Sequence, residues 1–170
     1  MASKSNLISS VNHRFISRSD SAIRVHVHLP NDTLTGYSIG FVKKGEQEAM
    51  SRALKLRDEI GEKEWGEYWP RILDDRYFFT RLPENLEPRL MIKSGMECYI
   101  ATFSVLQNGK LVKKSAVRST HRRGKAGAYR ETKEALIEAH QGVIDILLFM
   151  GRITQADLSL TLPEKESSEQ

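Results

Sequence analysis

The run from Tyr99 to Val105 alternates strictly between two sets of side chains. One set is Tyr, Ala, Phe and Val, and the other is Ile, Thr and Ser. A period of two puts the sets on opposite faces of a β-strand. Gln107-Asn108-Gly109 follows, and Asn-Gly is a strong signal for a tight hairpin turn. With Lys110 to Arg118 as the return strand, this part of the chain is expected to form an antiparallel hairpin with one face in a core.

The hairpin lies within a stretch of concentrated positive charge, Glu97 to Arg130. The stretch holds eight basic residues and one acid, a net charge of +7, whereas the whole chain carries +4, so the remainder is net negative. A localised positive field usually has a polyanion as its partner, most often nucleic acid. A solvated loop rich in Lys and Arg is the alternative, but the strand pattern of this stretch favours a structured surface.

Composition limits the fold and the compartment. A chain of 170 residues with 39% hydrophobic residues can form one domain or two very small ones. No apolar run reaches the roughly 18 residues that a membrane helix needs, and the Ser-rich start lacks a signal peptide's apolar block. We expect a cytoplasmic protein, nucleoid-associated if prokaryotic, with no membrane contact. The single Cys98 excludes an internal disulfide and multi-cysteine zinc sites, and it is expected to be a buried filler.

The first half of the chain also predicts strands followed by a helix. Its first strand carries an apolar face of Ile23, Val25, Val27 and Leu29 opposite a polar face of Arg24, His26 and His28. Pro30-Asn31-Asp32 supplies a turn, and a short second strand is expected over residues 36–42. The helical pattern then runs over residues 46–60, with Gly61 as its expected end.

The second half repeats this order of elements. The hairpin is followed by an expected loop over residues 119–127 and by a helix that begins near Ala128. The sequence therefore predicts an α+β protein of two tandem units, each a small antiparallel sheet packed against one helix. The predicted divisions are a mobile N-terminal arm over 1–20, a first unit over 21–62, a linker with an aromatic helix over 63–95, a second unit with an apolar C-terminal helix over 96–150, and a polar, acidic, disordered tail over 151–170.

Two apolar segments of the sequence are expected to be buried against other parts of the protein. Trp65, Tyr68 and Trp69 have the spacing of one helical face, which favours packing over base stacking. The run from Val143 to Met150 (VIDILLFM) is too apolar for one helix on a small sheet. We expect it to pack between the two units or to form a homodimer.

The second unit resembles a known family of DNA-binding domains. The CYIATFSV strand, the NGK turn, the KKSAVRS strand and the GAYRETKEALIEA helix are similar to the three-strand-plus-helix domain of the Apetala and ethylene-response-factor type. This domain type is also found as an accessory domain in phage integrases and homing endonucleases. The first unit, with GYSIGFV leading into EQEAMSRALKLRDEI, looks like a shorter copy. Unlike the plant form, this chain lacks a Trp-rich first strand and has Thr102 and Ser104 where Arg or Glu would read bases.

The resemblance implies double-stranded DNA as the partner. In that family the sheet enters the major groove, where outward strand residues read bases and cations hold phosphates. The expected DNA-binding residues are Arg24, His26, His28, Thr102, Ser104, Lys113, Lys114, Arg118, Arg122, Arg123 and Lys125. We predict a sequence-specific transcriptional regulator or mobile-element accessory factor, with no catalysis, cofactor or metal. A protein-binding inhibitor or adaptor with the same fold is the alternative.

Three further chemistries have partial signals in the sequence. His26 and His28 could bind one divalent ion, and Tyr68 could act as the nucleophile of a DNA-nicking enzyme. No third metal ligand is evident, however. A recombinase is excluded, because its catalytic domain is longer than this chain and His121-Arg122-Arg123 lacks the required spacing. Gly124-Lys125-Ala126-Gly127 could meet a phosphate at a helix start, and it lacks the full nucleotide-binding signature.

Overall fold

The computed structural model describes residues 12–164, and the chain divides into two compact units, Met1–Arg76 and Tyr77–Gln170. Each unit contains a three-stranded antiparallel sheet together with helices, which confirms the predicted α+β class. The division after Arg76 falls inside the stretch over 63–95 that we had assigned to a linker. Within residues 12–164, no helix combines the length and apolarity needed to cross a membrane.

The sheet of the first unit consists of β1 (Ile16–Arg18), β2 (Ala22–Val25) and β3 (Tyr37–Gly40), in that order. Ile23, Val25 and Val27 are fully buried, so the predicted apolar face is confirmed over these positions. The strands are shorter than predicted, because β2 ends at Val25 and β3 at Gly40. Residues 12–20, which we had assigned to a mobile arm, contain β1. Residues 1–11 lie outside the described residues.

A buried arginine explains why the chain before β1 has a defined path. Arg57 is 4% exposed and forms an ion pair with Asp58 at 2.9 Å. Its guanidinium also donates hydrogen bonds to the carbonyls of Asn12 and Arg14. A buried guanidinium requires acceptors for its five N–H groups. Arg57 therefore holds the incoming segment against the helix that contains Arg57, α1 (Glu46–Trp65).

Helix α1 (Glu46–Trp65) continues past the glycine that we expected to end it. Gly61 lies on the buried face together with Ala49, Ala53, Arg57 and Trp65, a spacing of four residues. A Cβ atom at Gly61 would be 2.1 Å from the Trp69 indole, which follows in α2 (Trp69–Asp74) after a 3-10 turn at Gly66–Tyr68. Gly61 thus permits a helix-to-ring contact and does not act as a stop.

The two tryptophans of the first unit are core residues, as predicted. Trp65 is fully buried and its indole N–H donates a 2.7 Å hydrogen bond to the carbonyl of His28. Trp69 is 3% exposed and stacks on Phe15 with ring centroids 5.6 Å apart. Both rings are therefore used in packing.

The second unit begins with α3 (Phe78–Arg81) and a sheet of β4 (Arg89–Lys93), β5 (Met96–Gln107) and β6 (Lys110–Ser119). Asn108 and Gly109 have φ values of 50° and 73°, so the predicted tight turn is confirmed. Strand β4 corrects the sequence interpretation, because it lies in the supposed linker and pairs along β5 from Arg89↔Ile100 to Lys93↔Met96.

The prediction of a loop over residues 119–127 is also wrong. Helix α4 (Thr120–Ala139) follows β6 directly and is interrupted at Gly124, where φ is 68° and ψ is 163°. This backbone region is almost restricted to glycine, since a Cβ atom would clash with the backbone. The glycine therefore separates a first helical turn from the main body of α4.

Helix α4 covers one face of the second sheet. Tyr99 and Tyr129 are buried with ring centroids 5.4 Å apart, and Ala101, Ala128 and Leu136 are buried beside them. The apolar run predicted to pack between units or chains contains α5 (Ile144–Phe149), whose Ile146 and Leu147 are fully buried. Leu147 lies in the core cluster of this unit with Leu136 and Ala101. The unit's own core thus accounts for much of the run.

The segment after α5 is ordered rather than a disordered tail. Ile153 is 3% exposed in the core, and Leu158 and Leu162 pack against buried clusters. The backbone N–H of Thr154 donates a 2.7 Å hydrogen bond to Asp157, and this bond lowers the pKa of the Asp157 carboxyl. The tail prediction is therefore wrong for residues 151–164, and 165–170 lie outside the described residues.

Substitution of Gly61 by Ala tests its contact with Trp69. We expect Gly61→Ala to lower the free energy of unfolding by about 1–3 kcal/mol, because overpacking must displace the indole. Gly127→Ala in α4 is the control, since its Cβ would meet Arg123 at an ordinary 3.5 Å. Ala there should stabilise the helix by about 0.5–1 kcal/mol. Urea unfolding followed by circular dichroism measures both, and equal effects would contradict the assignment.

Candidate nucleic-acid interface

Strands β5 and β6 of the second unit form a two-stranded ribbon. Its register is continuous from Cys98↔Ser119 to Gln107↔Lys110. Paired residues in an antiparallel ladder project to the same side of the sheet. One side, here called the inner face, carries the buried Tyr99, Ala101 and Ala116 and is covered by α4. The opposite side is called the outer face.

The outer face carries the polar residues predicted to read DNA. Thr102 pairs with Ser115, and Ser104 pairs with Lys113. Thr102, Lys113 and Ser115 are exposed, and Ser104 is half-buried. The structure therefore brings three of the predicted residues onto one surface, and it adds Ser115, which the sequence interpretation had missed.

Two predicted cations do not share this face. Lys114 pairs with Phe103 and Arg118 pairs with Tyr99, so both belong to the inner face. All three residues Lys113, Lys114 and Arg118 were expected at the DNA-binding surface, and the register places only Lys113 on the outer face. The physical reason is the period of two, which sends the adjacent Lys113 and Lys114 to opposite sides.

A single carboxylate engages two of the predicted cations. Glu131 of α4 accepts hydrogen bonds from Arg118 Nε at 3.2 Å and from Arg123 Nε at 2.7 Å. All three side chains are about one-third exposed, at 35–38%. This cluster offsets part of the positive charge of the stretch and connects β6 to both segments of α4. Arg122 is exposed beside it, and Lys125 is half-buried.

Lys133 is a cation that the charge pattern could not distinguish from its exposed neighbours. It is 2% exposed, and its ammonium contacts Glu87 and the Tyr129 hydroxyl. Tyr129 in turn donates a 2.6 Å hydrogen bond to Glu87. The three polar groups satisfy one another, as burial requires. Lys133 therefore contributes to the core of this unit and not to its charged surface.

Strand β4 adds two cations that we had missed. By register, Arg89 shares the outer face with Ile100, and Lys93 shares it with Met96, and both cations are exposed. The sequence does contain a signal, because an apolar triplet between two cations leads into Ser94-Gly95, a common turn pair. Two nearby prolines had favoured the linker interpretation instead.

In the first unit, Arg24 and His26 lie on one surface. They line an open hollow of about 380 Å³ together with Ser17 and Ser38. His28, predicted on the same face, is half-buried and its ring lies 6.4 Å from that of Phe15. Beyond the end of β2 at Val25, Val27 is still buried, and the predicted polar face departs from the alternation at His28, whose ring lies beside Phe15. The part of the chain from 12 to 164 contains no group of three His, Cys, Asp or Glu side chains that could hold a metal ion.

No protein-family model, curated protein or solved structure matches this chain.

The half-buried His28 predicts a pH dependence of stability. Burial lowers the pKa of His28 below its ordinary value of 6.5, the charges of His26 and Arg14 lower it further, and Asp32 opposes them. The unfolded chain therefore takes up a proton more readily than the folded chain, so stability falls as pH drops below about 6.5. We expect the free energy of unfolding to decrease between about pH 7.5 and pH 5.5, and to decrease less in His28→Asn.

Tryptophan fluorescence during urea unfolding gives the measurement, because both tryptophans of the chain lie in the first unit. The backbone acceptor for Trp65 is kept in the variant, since the bond uses the His28 carbonyl. An identical pH dependence in the two proteins would show that His28 is not responsible.

Proposed function

We propose that the chain binds double-stranded DNA through the outer face of the β5–β6 ribbon. The observation that carries the proposal is a polar patch on the outer face, where the exposed Thr102 pairs with the exposed Ser115 and the half-buried Ser104 pairs with the exposed Lys113. Hydroxyl groups and a lysine are donors for phosphate oxygens and base edges. A two-stranded ribbon also has dimensions that fit the major groove.

The distribution of charge supports the same surface. Arg89 and Lys93 lie on the outer face of β4, and Arg122 is exposed at the start of α4. Glu131 and Glu87, in contrast, bind cations that belong to the inner side or the core. Positive charge on the outer face would supply the sequence-independent part of the affinity, and the ribbon hydroxyls the sequence-dependent part.

The order of elements supports the resemblance to Apetala-type domains. In the second unit, three antiparallel strands precede helix α4, which contacts β5 and β6, and the first unit has the same order in β1, β2, β3 and α1. We propose that the units are related tandem copies and that the protein is a small transcriptional regulator or a mobile-element accessory factor. Specificity would come from the outward hydroxyls, in place of the Arg and Glu side chains of the plant form.

The neighbouring Lys113 and Lys114 give a matched test of the DNA-binding face. We expect Lys113→Gln to weaken binding to duplex DNA and to reduce the slope of log K against log salt by about one, because one phosphate contact is lost. Lys114→Gln removes the same charge from an exposed inner-face position, and it should change both quantities much less. Fluorescence anisotropy with a labelled duplex at several salt concentrations measures both.

Equal losses in the two variants would assign binding to charge alone and would reject the ribbon face. Wild-type protein that binds no duplex even at low salt would reject the proposed function.

Selection of bound sequences from a random pool tests specificity. Thr102→Val should alter the selected motif without changing the salt slope, since it removes a hydroxyl and no charge.

A second candidate function is protein binding at strand β4. This strand is at an edge of the sheet, and its Met91 and Ile92 are 45% and 73% exposed, with Met96 of β5 beside them at 56%. An exposed apolar edge can add a strand from another chain. It would suit the adaptor or inhibitor role that the sequence left open.

Ile92→Lys separates the two functions. Ile92 is paired by register with Glu97, on the opposite side of the sheet from Met91 and Cys98. If the protein binds DNA through the outer face, duplex affinity should stay the same or rise slightly with the added charge. Loss of a co-purifying protein in this variant, together with absence of duplex binding by the wild type, would instead favour the second candidate.

A further inference from the structure

We propose that a hollow at one end of the second sheet is a binding site for a sugar-phosphate unit, supplied by the backbone of the bound DNA. This inference rests on the proposed function and specifies where one phosphate is held. The hollow measures about 380 Å³ and lies between the β4–β5 turn and the first turn of α4. Its lining residues are Lys93, Ser94, Met96, Cys98, Val117, Ser119, Arg122 and Arg123.

The charge of the side chains around the hollow favours the binding of an anion. Three of the eight lining residues are cations, two are serines, and none is an acid. Arg123 is already engaged by Glu131 at 2.7 Å. Lys93 and Arg122 are exposed and have no ion-pair partner within residues 12–164. Two available cations facing one hollow match the charge of a phosphate group.

Ser119 provides the second, independent indication. Its hydroxyl oxygen is buried, yet it has no hydrogen-bond partner in the described part of the chain. Ser119 is the N-cap residue of α4, a position where Ser normally accepts a hydrogen bond from the first helical turn, and here no such bond is formed. Ser119 pairs with Cys98 and therefore projects to the outer face, the side on which both residues line the hollow. Buried hydroxyl groups in proteins normally form a hydrogen bond. A phosphate oxygen in the hollow would accept the hydrogen bond that the Ser119 hydroxyl does not form within the protein.

The floor of the hollow indicates more than a bare phosphate. Met96, Cys98 and Val117 give it an apolar surface, and Cys98 is 4% exposed. The carbon atoms of a deoxyribose ring can pack on such a surface, whereas a free inorganic phosphate gains nothing from it. A volume of about 380 Å³ accommodates a phosphate with its sugar. The chemistry is therefore that of a nucleic-acid backbone or of a free sugar phosphate.

The first arm of the experiment uses small probes on the full chain. Deoxyribose 5-phosphate and inorganic phosphate are titrated separately into ¹⁵N-labelled protein, and the amide signals of Ser119 and Arg122 are followed. We expect saturable shifts with both probes and tighter binding of deoxyribose 5-phosphate. Ser119→Ala and Arg122→Gln should each weaken binding about tenfold, the usual effect of one hydrogen bond to a charged group. Arg130→Gln, an exposed cation on α4 outside the lining, is the control for charge loss.

The second arm uses the duplex. Ser119→Ala removes no charge, so a severalfold loss of duplex affinity with an unchanged fold would support a specific contact in the hollow. Lys93→Gln and Arg122→Gln should combine non-additively, because both would contact the same phosphate, whereas Lys93→Gln and Arg130→Gln should add. Amide spectra that stay native in Ser119→Ala exclude simple misfolding.

The outcomes separate this inference from the proposed function. Saturable sugar-phosphate binding without duplex binding would support the hollow and reject DNA as the source of the phosphate. Duplex binding that is unaffected by Ser119→Ala and Arg122→Gln would overturn the inference and leave the ribbon proposal standing. The absence of saturable shifts with either probe, together with unchanged duplex affinity in the variants, would also overturn it.

Discussion

The close contact between helix α4 and the inner face of β5 and β6 is the interaction on which the second unit depends. Ala101 is paired with Ala116, and both are buried, as is Ala128 on the helix. Small side chains at these positions let the helix approach the sheet, while Tyr99 and Tyr129 fill the adjacent space edge to face at 5.4 Å. This packing determines which face of the ribbon is covered and which remains exposed.

The chemistry of the outer face follows from that packing. Once Tyr99 and Ala101 are under the helix, Thr102, Ser104 and Lys113 must face away from it. On the inner face, Glu131 binds Arg118 together with Arg123 of α4, whereas Lys114 stays exposed to solvent. The core accepts Lys133 only because Glu87 and Tyr129 satisfy its ammonium group. The fold thus separates the basic residues into those that acids bind within the unit and those that remain exposed to a partner.

The first unit is held together by contacts of a different kind. Gly61 makes room for the Trp69 indole, Trp65 donates to the His28 carbonyl, and Arg57 holds the segment before β1. The last two contacts join helix α1 to segments that are distant in sequence. Arg24 and His26 are left on an exposed hollow, while His28 is drawn toward Phe15. The polar surface of this unit is consequently smaller than its sequence alternation indicates.

The sequence alone determined the features that depend on neighbouring residues. Alternation predicted the buried faces of β2 and β5, and Asn108-Gly109 predicted the hairpin turn, because strand period and turn conformation are local properties. Only the tertiary structure decided what depends on distant partners. Pairing with β5 makes β4 a strand of the sheet, contact with Trp69 lets α1 continue through Gly61, and packing buries Ile153 in the core with Leu162 against it. The tertiary structure also assigned Lys113 to the outer face and Lys114 to the inner one, since a run of charges has no direction until the packing of one strand face sets the register.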